Sequence, residues 1–354
     1  LYWQDFPLGK IPLPTFPRRS LYNFSKISDS LIHAHFKKST VRLSIKVIRI
    51  KGNPCDGIDV CSSEKGQDLK LSLVVSTIDR FFYVERLFQS LVAQQYKNFE
   101  ILFVHNEQCA AEVQELIKIF NGKLHIKTFI AQSESISAKR NVALNTAAGD
   151  IIAFPDDDCI YFPNTLQTVH EIFRVRPGVD ALLATRVGLN CEWKCVPPAS
   201  STELSRVKSR YGTFKNSETF LQFYRKQCIE AVGFFDETLG PGTGLPYGSG
   251  EDTDYVLRAF SAGCAIFLSS HVTVAHPDLP FGNPELYPKA KSYAAGRMRL
   301  LQKHSMPLWF ELANIAYPLC RIPLDCLPIL RFRWVVFTAR LKACIIGRIS
   351  RKKA

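Results

Sequence analysis

Three consecutive carboxylates, Asp156, Asp157 and Asp158, follow the apolar run IIAF at 151–154. Adjacent negative charges repel one another, and a divalent cation or a cationic ligand relieves that repulsion. Oxygen donors suit Mg2+ or Mn2+, which keep waters and phosphate oxygens as further ligands. Asp156 and Asp158 are two residues apart, so in extended backbone they point the same way. The alternative is a solvated turn whose side chains bond their own backbone. A second cluster, GSGEDTD at 248–254, opens a segment with Tyr255, Val256, Ala259 and Phe260 at helical spacing, closed by Gly263. Acids in a first helical turn favourably oppose the macrodipole, which by itself accounts for Glu251, Asp252 and Asp254. It leaves unexplained the five glycines from Gly240 to Gly250, which suit a loop able to close over a ligand.

The elements that must position these acids are legible from residue 69 on. LSLVV at 71–75 is a β-branched apolar run of the kind buried on both faces of a sheet. Val84, Leu87, Phe88, Leu91 and Val92 recur at helical spacing, and FEILFV at 99–104 follows as a second strand. Val113, Leu116, Ile117 and Phe120 mark a second helix ended by Asn121-Gly122, and 124–130 reads as a third strand. A third helix at 137–148, closed by Gly149, leads to the strand 151–154, stopped by Pro155. The order β-α-β-α-β-α-β predicts a mostly parallel sheet flanked by helices on both faces. Ligands of such sheets bind beyond the carboxyl ends of the strands, where both Asp79 and the acidic triplet fall.

With those motifs in place, residues 69 to about 280 resemble a family 2 glycosyltransferase with the GT-A fold, of the kind that builds bacterial polysaccharides and cell-surface glycans. VSTIDR at 75–80 resembles the family's first nucleotide-contacting loop, and SLVAQQYKNFE at 90–100 its first helix and approach to strand two. SAKRN at 137–141 with Gly149-Asp150 resembles the lead into the metal site. FPDDDC at 154–159 resembles the DxD motif, and GSGEDTDYVLR at 248–258 the ED motif. The resemblance implies that Asp156 faces ribose and metal and that Asp158 ligates Mn2+ or Mg2+. It implies that Asp252 is the general base, with Glu251 orienting the site. Thr77, Asp79, Arg80, Arg140 and Asp157 then contact the nucleotide-sugar, and His276, in VAHP at 274–277, reaches the metal or diphosphate unless it is a structural histidine. A single inverting displacement from a UDP-, GDP- or dTDP-sugar onto a hydroxyl is the implied reaction. Two departures stand out: His105-Asn106 occupies the place where members commonly carry an aspartate that reads the base, and no QxxRW-like motif of processive synthases follows the ED cluster. The second favours single-sugar transfer. The first leaves the nucleotide open and leaves room for a catalytically inactive nucleotide-sugar-binding relative; a membrane-associated scaffold is the reading if the acidic clusters are turn and cap chemistry.

Charge divides the 354 residues unevenly. Residues 287–354 carry 14 Lys or Arg against Glu311 and Asp325, a net of +12, while the other 286 residues balance at +1. The tail interleaves basic and aromatic residues (Trp309, Phe310, Arg331, Arg333, Trp334, Phe337), which suits the headgroups of an anionic membrane, a lipid-linked or glycan acceptor being met there. A solvated basic face on packing helices is the plainer alternative. No nucleic-acid recognition pattern is evident. Eleven scattered cysteines do not form a disulfide framework, and Cys191 and Cys195 lack a second pair at zinc-ligand spacing. No uncharged apolar run is long enough to span a bilayer and no signal-peptide pattern opens the visible N-terminus. The expectation is a cytoplasmic enzyme, peripheral on the inner face of the cell membrane. It has an irregular extension at 1–68 with an edge strand at 41–48 and a linker at 52–67, a GT-A domain at 69–285, and a basic helical tail at 286–354.

Overall fold

The computed structural model of the chain describes residues 68–189, 203–277, 284–320 and 327–353. The expected strand at 41–48, the linker at 52–67 and the Cys191/Cys195 pair lie outside the described residues. Strand β1 (Leu71–Ser76) is buried along its whole length, as its unbroken apolar run requires. It lies between β2 (Phe99–Asn106) and β4 (Ile151–Ala153), with β3 (Ile126–Ala131) beyond β2, all four parallel. The crossovers are α1 (Phe81–Val92), α2 (Ala110–Phe120) and α3 (Ile136–Leu144). Helix α3 is shorter than the expected 137–148. Ser135 caps its start by accepting from the Ala138 amide (3.4 Å), and Thr146 turns back to donate to the Ala143 carbonyl (2.9 Å).

Past β4 the sheet becomes mixed. The strand β8 (Gln222–Arg225) pairs antiparallel with β4, and β6 (Ala181–Val187) antiparallel with β8. Next, β9 (Ile266–Ala275) runs parallel to β6 and carries the short strands β5 (Ile160–Tyr161) and β7 (Leu204–Arg206) on its edges. Among the described residues the sheet has nine strands, in the order β3-β2-β1-β4-β8-β6-β9-β5, with β7 on β9.

Alternation along β1 divides the core. Leu71, Leu73 and Val75 face Val84, Leu87 and Phe88 of α1, with Val169 and Phe173 of α4 (Thr165–Val175) in the same cluster. Val74 faces the opposite layer, where Ala143 and Leu144 of α3 join Ile229 of α5 (Lys226–Val232) and Tyr255 and Val256 of α6 (Glu251–Ser261). Burying each of these large side chains contributes about 1.5–3 kcal/mol, which fixes the strand ends against the helices.

The chain continues in α7 (Tyr287–Lys303), α8 (Leu308–Cys320) and α9 (Leu327–Lys353). These helices are packed onto the α/β body. Met298 and Leu301 of α7 and Phe310 of α8 share a cluster with Phe214 and Leu257, and the Arg297 guanidinium lies 4.2 Å over the Phe214 ring. No described helix is long and apolar enough to cross a membrane.

Candidate active site

A parallel bridge between Ser76 and Asp156 carries the β1–β4 pairing three residues past the end of β4. The acidic triplet therefore leaves the sheet beside the loop after β1, which supplies its first cations. Buried Asp157 accepts from Thr77 Oγ1 (2.7 Å) and from Arg80 Nε (3.2 Å) and Nη2. Arg80 Nη1 also donates to Asp158 (2.9 Å), and Arg140 Nη2 of α3 donates to Asp156 (2.9 Å). His276, just past β9, stacks on Phe220 (centroids 4.4 Å apart, 9° between planes). Its Nδ1 lies 2.8 Å from the Pro277 carbonyl, which can only accept, so that nitrogen carries a hydrogen and Nε2 is turned to Asp158 Oδ1 at 3.1 Å.

One donor atom from each of Asp156, Asp158 and His276 falls within a common 4.8 Å. Two carboxylates and an imidazole converging this closely fit a divalent cation, with Mn2+ tolerating the nitrogen ligand and Mg2+ the oxygens. Burial raises the Asp158 carboxyl, but His276 and Arg80 outweigh it and hold the group down at about 2. For His276, burial disfavours the charge, yet Asp158 overcomes that and the imidazole is raised. Asp157 is pushed up to about 6, chiefly by burial, with Arg80 and Thr77 only partly offsetting it.

The second cluster is arranged differently. Gly250 caps the start of helix α6, and the loop before it returns so closely that a Cβ on Gly240 (φ +98°) would sit 2.8 Å from Glu251 Cδ. On its other side the loop is pressed against α7, where a Cβ on Gly296 would lie 2.3 Å from the Ser249 carbonyl oxygen. Glu251 is buried, and the nearest ion-pair contact it makes is Arg140 Nη1 at 3.7 Å. Asp252 Oδ1 accepts from the Thr253 amide (2.6 Å). Burial raises both carboxyls above the usual range, and the Asp252 charge raises Glu251 further. Asp254, one turn into the same motif, is fully buried and bound by Lys303 (2.6 Å), His304 (2.8 Å) and Arg258 (2.9 Å). It fastens α6 to the end of α7.

Both clusters line one cleft of about 880 Å³, and Arg140 touches an acid of each. Arg80, Asp156, Asp157, Asp158, Glu251, Asp252 and His276 all reach this cleft. Thr77 and Asp79 are not among its lining residues: Thr77 holds Asp157 from behind, while Asp79 (φ +56°) accepts from Cys109 Sγ at 2.8 Å. Buried Lys139 steadies the same loop by donating to the Thr77 carbonyl (3.0 Å). Where the aspartate after β2 is missing, His105 is buried and Asn106 Nδ2 donates to Glu134. Arg186, Glu218, Lys289, Tyr293, Arg297 and Arg340 also line the cleft; in the sequence Lys289, Arg297 and Arg340 belong to the basic tail and none of the six stands in a site motif. Four of these come from α7 and α9, and no local motif announces them.

Residues 72–229 match the family model described as glycosyl transferase family 2. That match spans less than half of the chain, and the α/β architecture is GT-A-like. It is similar to glycosyltransferase AglE of Haloferax volcanii, 25% identical over 264 residues covering 69% of this chain and 78% of that protein. It is also similar to an uncharacterized glycosyltransferase of Rickettsia conorii, 27% identical over 113 residues, 32% of this chain and 18% of that one. The chain thus spans less than a fifth of the length of the first curated relatives it matches. In fold it is similar to mannosyltransferase PcManGT from Pyrobaculum calidifontis, solved with GDP-Man and Mn2+ (13% identity, 80% of this chain and 88% of that one, TM-score 0.55).

Proposed function

We propose that this chain transfers a single sugar, with inversion, from a UDP-, GDP- or dTDP-linked donor to a hydroxyl of a lipid-linked or polysaccharide acceptor in cell-surface glycan synthesis. The supporting observation is one cleft that holds two unlike acidic clusters, one in which each carboxylate has a close cation partner and one whose nearest cation contact is longer, joined by Arg140. Asp156, Asp158 and His276 would hold Mn2+ or Mg2+, which when bound offsets the charge of the diphosphate leaving group as a Lewis acid.

The residues of the chain do the rest. Arg80, freed from Asp157 and Asp158, turns to the phosphates, Thr77 keeps Asp157 in place, and Asp156 faces the ribose. Asp252 takes the proton of the acceptor hydroxyl as that oxygen bonds to the anomeric carbon, while the bond from that carbon to the phosphate oxygen breaks and its electron pair leaves with the nucleotide. A raised carboxyl is the stronger base, and Arg140 and Thr253 keep it ionisable. Glu251 and Arg140 orient the two halves of the site. The enzyme works as a peripheral protein on the cytoplasmic face of the membrane, where a lipid-linked acceptor is presented.

The test is nucleotide release from a panel of UDP-, GDP- and dTDP-sugars with Mn2+ and a lipid extract as acceptor. Release from donors of one nucleotide, stopped in Asp252→Asn while that variant still binds the donor, is expected. A folded protein that releases nucleotide from no donor and binds none would overturn the reading.

A further inference from the structure

The last two helices turn apolar side chains outward, where water-facing helices carry polar ones. On α8 the inward side is Phe310, Glu311, Asn314, Ile315 and Pro318. The exposed side is Leu308, Trp309, Leu312, Ala313, Ala316 and Cys320, with no charged residue among them. On α9, Trp334, Leu341, Ile345 and Ile349 are exposed at spacings of seven, four and four, a single helical stripe. Of these two sets, Leu308, Trp309, Leu312, Trp334, Ile345 and Ile349 are each 50–57% exposed.

Charge on the same helices has one sign. The α9 segment contains no Asp or Glu, and exposed Arg331 and Lys342 border its stripe. The one carboxylate of α8, Glu311, is buried and bound by Arg348 at 2.7 Å. That pair and the bond from Arg340 Nη1 to the Asn314 carbonyl (2.6 Å) hold α8 and α9 side by side.

Exposed apolar residues gathered on whole helix faces mark an interaction surface. A second copy of the chain would set one strongly basic segment against another. A nucleic acid would match the charge but offers no apolar phase for leucine and isoleucine. An anionic bilayer matches both, with acyl chains below its headgroups and negative phosphates at its surface. Neither helix can span it. We propose that the outward faces of α8 and α9 dock on an anionic lipid bilayer, with Leu308, Trp309 and Leu312 entering the headgroup–acyl boundary and Arg331 and Lys342 meeting lipid phosphates. This rests on the peripheral-membrane reading above and gives it a place in the fold. Helix α7, which precedes α8, lines the cleft through Lys289 and Tyr293, so the docked face and the cleft belong to one packed body.

The test is flotation of the full chain with phosphatidylglycerol/phosphatidylcholine vesicles and with phosphatidylcholine vesicles alone. Flotation with the anionic vesicles is expected, weaker by about tenfold or more for Trp309→Glu/Leu312→Glu and by about tenfold for Arg331→Gln/Lys342→Gln. Both variants change exposed positions and are expected to keep the wild-type circular dichroism and nucleotide affinity. No flotation of the wild type, equal flotation on both vesicle types, or flotation indifferent to the glutamates would overturn the proposal. A wild-type dimer that Leu312→Glu dissociates would give the face to a second copy instead. Nucleotide binding by the same samples separates the two readings: kept binding without flotation removes only this surface, and flotation without binding removes only the transferase.

Discussion

The two acidic clusters of the cleft have nearly the same composition and different pairing, although burial raises Asp157 in the first as it raises Glu251 and Asp252 in the second. At 156–158 every carboxylate already has a cation partner: Arg140 on Asp156, Arg80 on Asp157, and Arg80 with His276 on Asp158. At 251–252 two carboxylates lie close together with only the longer contact to Arg140, and both are raised. The first arrangement suits a place where cationic partners exchange and a metal or phosphate-bound cation is traded in. The second suits a place where a proton is taken up. Asp254, three residues past Glu251, shows what full pairing does within the second motif: it makes a structural anchor. Pairing, more than residue type, separates the roles.

The largest effect that could break this contrast is expected at Asp252. Asp252→Asn should lower transfer by about 10² or more, given what general bases contribute, and leave donor affinity near wild type. Steady-state rates beside equilibrium binding check it, and near-wild-type transfer would take the proton-accepting role from this cluster. Next is Asp158→Ala, for which donor binding should lose its dependence on Mn2+, read by titration with and without the ion. Asp254→Asn should act on folding instead, costing about 3 kcal/mol because three cations lose their buried partner. Since the Asp254 carboxyl is held below its ordinary value, that stabilisation is present above about pH 4 and fades as pH falls further, so the gap between variant and wild type in denaturant melts should narrow in acid. The smallest effect is at Glu251. Its raised neighbour must be ionised to accept a proton, so activity should be lost on acidification at a higher pH than an ordinary carboxylate near 4 would give. Glu251, raised to about 8 by burial and by the Asp252 charge, is still protonated while Asp252 ionises, so Glu251→Gln should leave that limb of the pH–rate profile nearly where it is.

Much of the donor side was legible in sequence. The strands at 71–75, 99–104 and 151–154 are apolar runs buried on both faces, and their order leaves the acidic triplet at a strand end. His276 was legible only through resemblance, since nothing local marks a histidine 118 residues beyond Asp158 as its neighbour. The mixed half of the sheet was not legible: β5, β7 and β8 run for two to four residues each, too short for any period, and take their place from pairing with β4 and β9. Helix α6 had two sufficient sequence explanations, macrodipole and catalysis. The structure divides them residue by residue, because the partners of Asp254 lie fifty residues on in Lys303 and His304. Arg80, expected at the nucleotide, pairs with Asp157 and Asp158, and the Ser76–Asp156 bridge is what brings these acids within its reach.

The central claim, that the 156–158 cluster with His276 is a cation-dependent nucleotide site, is tested most directly by calorimetric titration of the full chain with UDP, GDP and dTDP, each with and without Mn2+. The account predicts that one nucleotide binds, that Mn2+ strengthens it, and that Asp158→Ala abolishes the strengthening while the fold is kept. Nucleotide binding of equal strength with and without Mn2+, or none by a folded chain, would contradict it.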